Sequence, residues 1–266
     1  MSLRVLYNDE GTAGQPSPNI WGNCPVEKAL IAPEQLGYVF DEFVDPVVTD
    51  TSIPRWGFAG TNADIDNVAD VLNGQILLQG SGADNDSCTI LKNDMYLLTK
   101  NSGKRFWFEA SVKPTNASTA DDYALFVGLI ESVGATAEMI ADDGASIIDE
   151  DYVGFVALTN GTTIQDWDAV INQGGSTNFP VTVEADAGTI GTDYIKLGMK
   201  FDGQQTVSFY VDGALVDTYD IDNLDSDTMA HEFTVALGVK QCAATAALGM
   251  YVDWVRFAYD KVTYGR

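Results

Sequence analysis

Ten glutamates, at 10, 27, 34, 42, 109, 131, 138, 150, 184 and 232, are the first residues to test for chemistry. Two carboxylates held close together can serve as acid and base, or as acid and nucleophile. On a strand, residues i, i+2 and i+4 share a face, and a bulge brings i+5 into line. No two of these glutamates are separated by four, five or six residues, so no strand carries a ready pair. Asp149, Glu150 and Asp151 in "IIDEDYVGF" (147–155) are consecutive and alternate faces; they read as an acidic loop entering a strand.

Other chemistries fare no better. His231 is the single histidine, which excludes multi-histidine metal sites. A Ser-His-Asp triad would have to use it, beside Glu232 at the start of a strand, where a solvated or locally bonded histidine is the simpler reading. Cys24 precedes Pro25 and has no candidate base except His231. No G-x-x-x-x-G-K-[ST] loop is present, and no G-x-G-x-x-G follows a strand. The loops "SGADNDS" (81–87) and "DIDNLDSD" (220–227) hold aspartates that suit calcium, but neither has EF-hand spacing, and Asp and Asn favour turns in any case. Trp167 in "TIQDWDAV", flanked by Asp166 and Asp168, is the aromatic best placed to stack on a sugar. No catalytic residue, metal ligand or cofactor is assigned, and the expectation is that the chain is not an enzyme.

The whole-chain totals narrow the partners. The 266 residues include 39 acidic and 14 basic side chains, a formal charge of −25. Such a surface repels phosphate backbones and anionic lipid, which argues against nucleic acid and membrane. It also keeps copies apart in solution, or suits salty surroundings or a basic partner. Cysteines at 24, 88 and 242 form neither a disulfide framework nor a zinc motif and read as buried reduced thiols, pointing to a reducing cytoplasm. The start "MSLRVLYNDEG" has no basic and apolar regions of a signal peptide, and no uncharged apolar run reaches membrane-spanning length.

The elements that must position these residues are strands. Residues 1–36 hold four of the eight prolines among Gly, Asn and Ser, and read as an extended N-terminal arm that lies over its own domain or over a neighbouring subunit. Residues 37–266 read as one domain. "GYVFDEFV" (37–44), "YALFVGLIE" (123–131), "YVGFVAL" (152–158) and "EFTVALGV" (232–239) are strand-like, whereas Ile65, Val68 and Leu72 suggest one or two helical turns over 64–73. "KRFWFEASVK" (104–113) alternates, with Phe106, Phe108, Ala110 and Val112 on one face and Arg105, Trp107, Glu109 and Ser111 on the other. In 193–221 the pairs Asp202-Gly203 and Asp212-Gly213 separate three alternating runs, the signature of a meander. The fold expected is all-β, an antiparallel β-sandwich.

The sequence of a strand, "FDG", a strand "FYVDG" and a terminal "YVDWVRF" (251–257) resembles the concanavalin-A-like or laminin-G-like jelly roll, over about residues 104–259. The terminal strand is similar to that of family-16 glycoside hydrolases, whose E-x-D-x-x-E pattern is missing here. "NIWGNCPVEKAL" followed by "GYVFDEF" looks similar to phage structural proteins that place an arm before a jelly roll. That resemblance implies a virion protein that decorates a capsid by binding the major capsid protein, assembled in the host cytoplasm as a dimer or trimer. Ile20, Trp21 and Leu30 would then be the apolar anchors on the partner. The alternative is a carbohydrate-binding module using Trp167.

Overall fold

The structure, a computed structural model, describes residues 16–43, 56–68, 74–115, 123–131, 139–142, 144–148, 150–158, 166–176, 180–225, 232–243 and 248–261. Two short helices come first, α1 (Pro18–Trp21) and α2 (Glu27–Ile31). The strands β1 (Leu36–Asp41), β2 (Gly57–Ala59), β3 (Ala63–Asn67), β4 (Ile76–Gly80) and β5 (Ser87–Tyr96) follow. Next come β6 (Phe106–Pro114), β7 (Tyr123–Glu131), β8 (Tyr152–Ala157), β9 (Asp166–Asn172) and β10 (Val181–Thr189). The chain closes with β11 (Ile195–Phe201), β12 (Thr206–Val211), β13 (Ala214–Asp220), β14 (Phe233–Gln241) and β15 (Gly249–Asp260).

These strands build two antiparallel sheets. One has eight strands in the order β13-β12-β11-β6-β15-β4-β3, with β1 also pairing β15; the other has seven, in the order β10-β9-β8-β7-β14-β5-β2. The terminal strand β15, which contains "YVDWVRF", lies in the middle of the eight-stranded sheet against β6. No helix among the described residues is long and apolar enough to cross a membrane.

The alternation along each strand fills the space between the sheets. Phe106, Phe108, Ala110 and Val112 of β6 face Leu125, Val127 and Leu129 of β7 and Val153 and Phe155 of β8 in one core. The meander forms as its turn residues dictate. Asp212 and Gly213 both adopt positive φ, 49° and 78°, the left-handed pair that a two-residue hairpin turn requires. Asp202 works differently: its Oδ1 accepts the backbone N–H groups of Gln204, Gln205 and Thr206 and closes a longer turn. The helical expectation for 64–73 is corrected. Residues 63–67 form a strand whose Ile65 alone is buried, while Asp64 accepts a hydrogen bond from the Gln79 side chain across the hairpin with β4. Three residues at helical spacing are too few to outweigh strand pairing. Residues 69–73 lie outside the described residues.

The described part of the arm, 16–35, packs back onto the outer face of the eight-stranded sheet. Its anchor is Glu109, whose carboxylate accepts the backbone N–H of Ser17 at 2.9 Å, the Ser17 hydroxyl, and the Trp21 indole N–H at 2.8 Å. The Trp107 indole N–H donates to Asn23 Oδ1 at 2.9 Å, and Arg256 lies over both Trp21 and Phe40. Burial pushes the Glu109 carboxyl up, while the bonds from Ser17 and Trp21 favour its charged form. Ile20 fits because Gly198 lies beneath it; a Cβ there would come within 2.3 Å of its Cδ1.

Candidate functional site

The outer face of the seven-stranded sheet carries a cleft of about 200 Å³, bounded by residues of β8, β9 and β10 and by the segment 145–147. Strand parity sets what it presents. On β8, Tyr152 and Val156 point outward with Gly154 between them, and the register pairs Val156 with Asp168 and Gly154 with Val170. A Cβ on Gly154 would come within 2.7 Å of the Val127 carbonyl, and Gly128 opposite is equally crowded, so the two glycines let adjacent strands approach under the Phe126 ring. Tyr152 meets that ring edge-on, with 6.1 Å between centroids.

The cleft therefore combines apolar walls (Ile147, Val156, Leu158, Val170) with Tyr152 and the polar Ser146, Asp168 and Thr182. A bulged stretch of β10 holds Asp168 in place. Asp186, in the left-handed region at φ 55°, donates its N–H to Asp168 Oδ1 at 2.9 Å. Partial burial raises the Asp168 carboxyl above its ordinary value, and the neighbouring Asp186 and Asp166 charges act in the same direction.

A second acidic group lies where β7 ends and β8 begins. The N–H of Asp151 donates to Glu131 Oε2 at 3.3 Å, Asp151 accepts the Gly174 N–H at 2.8 Å, and the Asn172 side chain donates to the Glu150 carbonyl at 2.6 Å. Burial pushes the Glu131 carboxyl up to about 7, helped by a hydrogen bond with Glu150 and by the charges of Glu150 and Asp151. Glu131 is thus a proton-holding carboxyl near neutrality, but it is buried and does not line the cleft. Its folded pKa lies above the ordinary value of 4.5, so its stabilising contribution is complete below pH 4.5 and is lost as pH rises through about 7. Unfolding midpoints measured from about pH 5 to 8 should fall with rising pH less steeply in Glu131→Gln than in the parent chain. Identical slopes in the two proteins would contradict the assignment.

The residues singled out from the sequence fall elsewhere. Ile20 and Trp21 are 0% and 1% exposed, packed with Trp107, Tyr210 and Ala258 of their own domain, so they are covered rather than offered to a partner. Leu30, at 79% exposed, stays outside on α2 beside Ile31. The choice of Trp167 as a sugar platform is corrected: it is 0% exposed and sits in the core between the sheets. Parity is the reason, because Trp167, Ala169 and Ile171 point inward while the flanking Asp168 points into the cleft. Of the two aspartates in 81–87, Asp84 is exposed and Asp86 is absorbed by its own turn. Asp86 accepts from Ser81 N–H and hydroxyl, Asn62 Nδ2 and Ala83 N–H. Burial opposes its charge, yet the bonds from Ser81, Asn62 and Ala83 hold its carboxyl below the ordinary value. Asp220 caps the turn at 221–223 through the Asp222 N–H. Among the described residues no group of three or more His, Cys, Asp or Glu is arranged to hold a metal. His231 lies outside the described residues. Cys24 and Cys88 are buried free thiols, and burial pushes both up to about 12, while the Cys242 thiol donates to the Lys240 carbonyl at 3.4 Å.

No protein-family model matches the chain, and no curated protein matches it by sequence. Solved structures do match. An endo-1,3-β-glucanase from Streptomyces sioyaensis aligns with a TM-score of 0.57 and 14% identity, over 85% of this chain and 96% of that one. A protein of unknown function from Shewanella oneidensis MR-1 aligns with a TM-score of 0.59 and 13% identity, over 91% and 97%. The carbohydrate recognition domain of Emp47p aligns with a TM-score of 0.53 and 12% identity, over 84% and 96%. The resemblance to phage structural proteins is not shown by these matches. They also correct the expectation that the chain is not an enzyme, because an endo-glucanase shares its fold over most of its length. That expectation rested on glutamate spacing within strands, on the single histidine and on the missing phosphate-loop and nucleophile motifs; spacing alone does not show that Glu131, at the end of β7, approaches Glu150, in the bend before β8. At these identities the likeness establishes architecture: the chain has the concanavalin-A-like jelly-roll fold.

Proposed function

We propose that this chain is a carbohydrate-binding domain whose sugar site is the outer-face cleft over β8, β9 and β10. The observation that carries the reading is the cleft's composition. A sugar ring has C–H faces that suit Ile147, Val156 and Val170, and hydroxyls that suit Asp168, Ser146 and Thr182. Pockets for drug-sized ligands enclose about 300–1,000 Å³. At about 200 Å³, this cleft accepts a single ring rather than a long stretch of chain. The glucanase and the carbohydrate recognition domain among the structural matches support the same reading over a capsid role. Burial of Ile20 and Trp21 also withdraws two of the three anchors on which the capsid reading depended.

A glycan microarray probed with the full chain tests the proposal. Thr182 is exposed at the cleft rim, so Thr182→Trp fills the opening without disturbing the core. Retention on at least one glycan series, with affinity about tenfold or more weaker in Thr182→Trp, is expected. Retention that the tryptophan leaves unchanged places the site elsewhere, and retention on no glycan overturns the reading.

A further inference from the structure

Among the described residues, Asp168 is the one charged side chain that lines the cleft, and no lysine or arginine lines it with Asp168. Its immediate charged neighbours are Asp166 on the same strand and Asp186 on the β10 bulge, both of the same sign. The hydrogen bond to Asp168 comes from the Asp186 backbone, which orients Oδ1 but brings no positive charge. Lys240, the buried cation elsewhere on this sheet, forms an ion pair with Asp142 at 3.0 Å. The cleft thus holds a half-buried carboxylate in a field of like charge, and the rest of the surface adds to a net −25.

We infer that the cleft selects sugars bearing a protonated amine over neutral sugars of the same linkage, and disfavours uronates and sulfated sugars. The inference rests on the carbohydrate-binding reading above. An ammonium group beside Asp168 forms a charge-assisted hydrogen bond and relieves the repulsion from Asp166 and Asp186. An N-acetyl group or hydroxyl at the same carbon can hydrogen-bond but brings no charge. A carboxylate or sulfate adds to the repulsion. The raised carboxyl of Asp168 agrees with this arrangement, since its charged form lacks a cation to stabilise it.

The test titrates the full chain with four β-1,4-linked tetrasaccharides, of glucosamine, N-acetylglucosamine, glucose and glucuronate. Salt is set at about 0.15 M, where exposed charges are screened beyond about 8 Å. The glucosamine tetramer is expected to bind about tenfold tighter than the glucose tetramer, with the glucuronate tetramer weakest. In Asp168→Asn, which keeps an acceptor oxygen for the Asp186 N–H, the amine preference should collapse. In Asp84→Asn, which removes one exposed charge from the remote 81–86 loop, it should persist. Circular dichroism and the thermal midpoint of each variant confirm folding. Equal affinity for amine and neutral tetramers, or a preference that survives Asp168→Asn, overturns the selectivity while leaving the carbohydrate reading standing. Equal loss in both variants attributes the preference to the overall charge and overturns it too. Binding of none of the four tetramers overturns the selectivity, and the glycan array decides the carbohydrate reading separately.

Discussion

Phe209→Ala is expected to destabilise the fold by about 3–5 kcal/mol, because it leaves a cavity where the two sheets meet. Phe209 is fully buried on β12 and contacts Phe155 of β8 edge-on, with ring centroids 5.7 Å apart and planes at 82°. The contact crosses the sandwich, so the neighbours that would have to move into the space belong to two separate sheets. Close packing on both sides leaves little freedom for such collapse. Leu215 on β13 is 55% exposed, and Leu215→Ala should change stability by no more than about 0.5 kcal/mol. Chemical denaturation of the two variants measures both. A loss below about 1 kcal/mol at Phe209 would mean that its side chain does not fill the core.

Glu109→Ala should cost about 3 kcal/mol or more, and the loss should appear first in the arm. The substitution leaves the Ser17 N–H, the Ser17 hydroxyl and the Trp21 indole N–H without their acceptor. Each buried donor left unpaired costs about 1–3 kcal/mol, reduced where water reaches it. Glu109→Gln keeps an acceptor oxygen and should cost less. Hydrogen exchange at the Ile20 and Trp21 amides, both bonded to the Ser17 carbonyl, reports on docking of this segment. Faster exchange there in Glu109→Ala, with the core strands still protected, is the expected result. Unchanged protection would show that the apolar contacts of Ile20 and Trp21 hold the arm without the carboxylate.

Much of the sandwich is legible in the local alternation of the sequence. The β6 faces and the two Asp-Gly turns follow from periodicity and turn chemistry, which act within a few residues. Ile65, Val68 and Leu72 mislead because three apolar residues fit a helix and a strand about equally well, and pairing with β4 decides between them. The position of the arm is not legible. The alternation puts Glu109 opposite the core face, but nothing local shows that Ser17 and Trp21, about ninety residues earlier, supply its donors. The cleft escapes a local reading for a related reason. "QDWDAV" draws attention to the aromatic residue, while strand parity gives the outward positions to Asp168 and Val170. Once Ala169 and Ile171 are placed in the core, Trp167 must follow them inward. Glu131 and Glu150 cannot be paired from the sequence at all, since their approach depends on β7 and β8 being neighbours.

Backbone amide shifts of the full chain, recorded during titration with a glycan retained on the array, test the location of the sugar site most directly. The account predicts that the saturable shifts cluster on Ser146, Tyr152, Asp168, Val170 and Thr182, and that Thr182→Trp raises their titration midpoint about tenfold or more. Shifts centred on the opposite sheet, around Trp21, Trp107 and Tyr210, would contradict it.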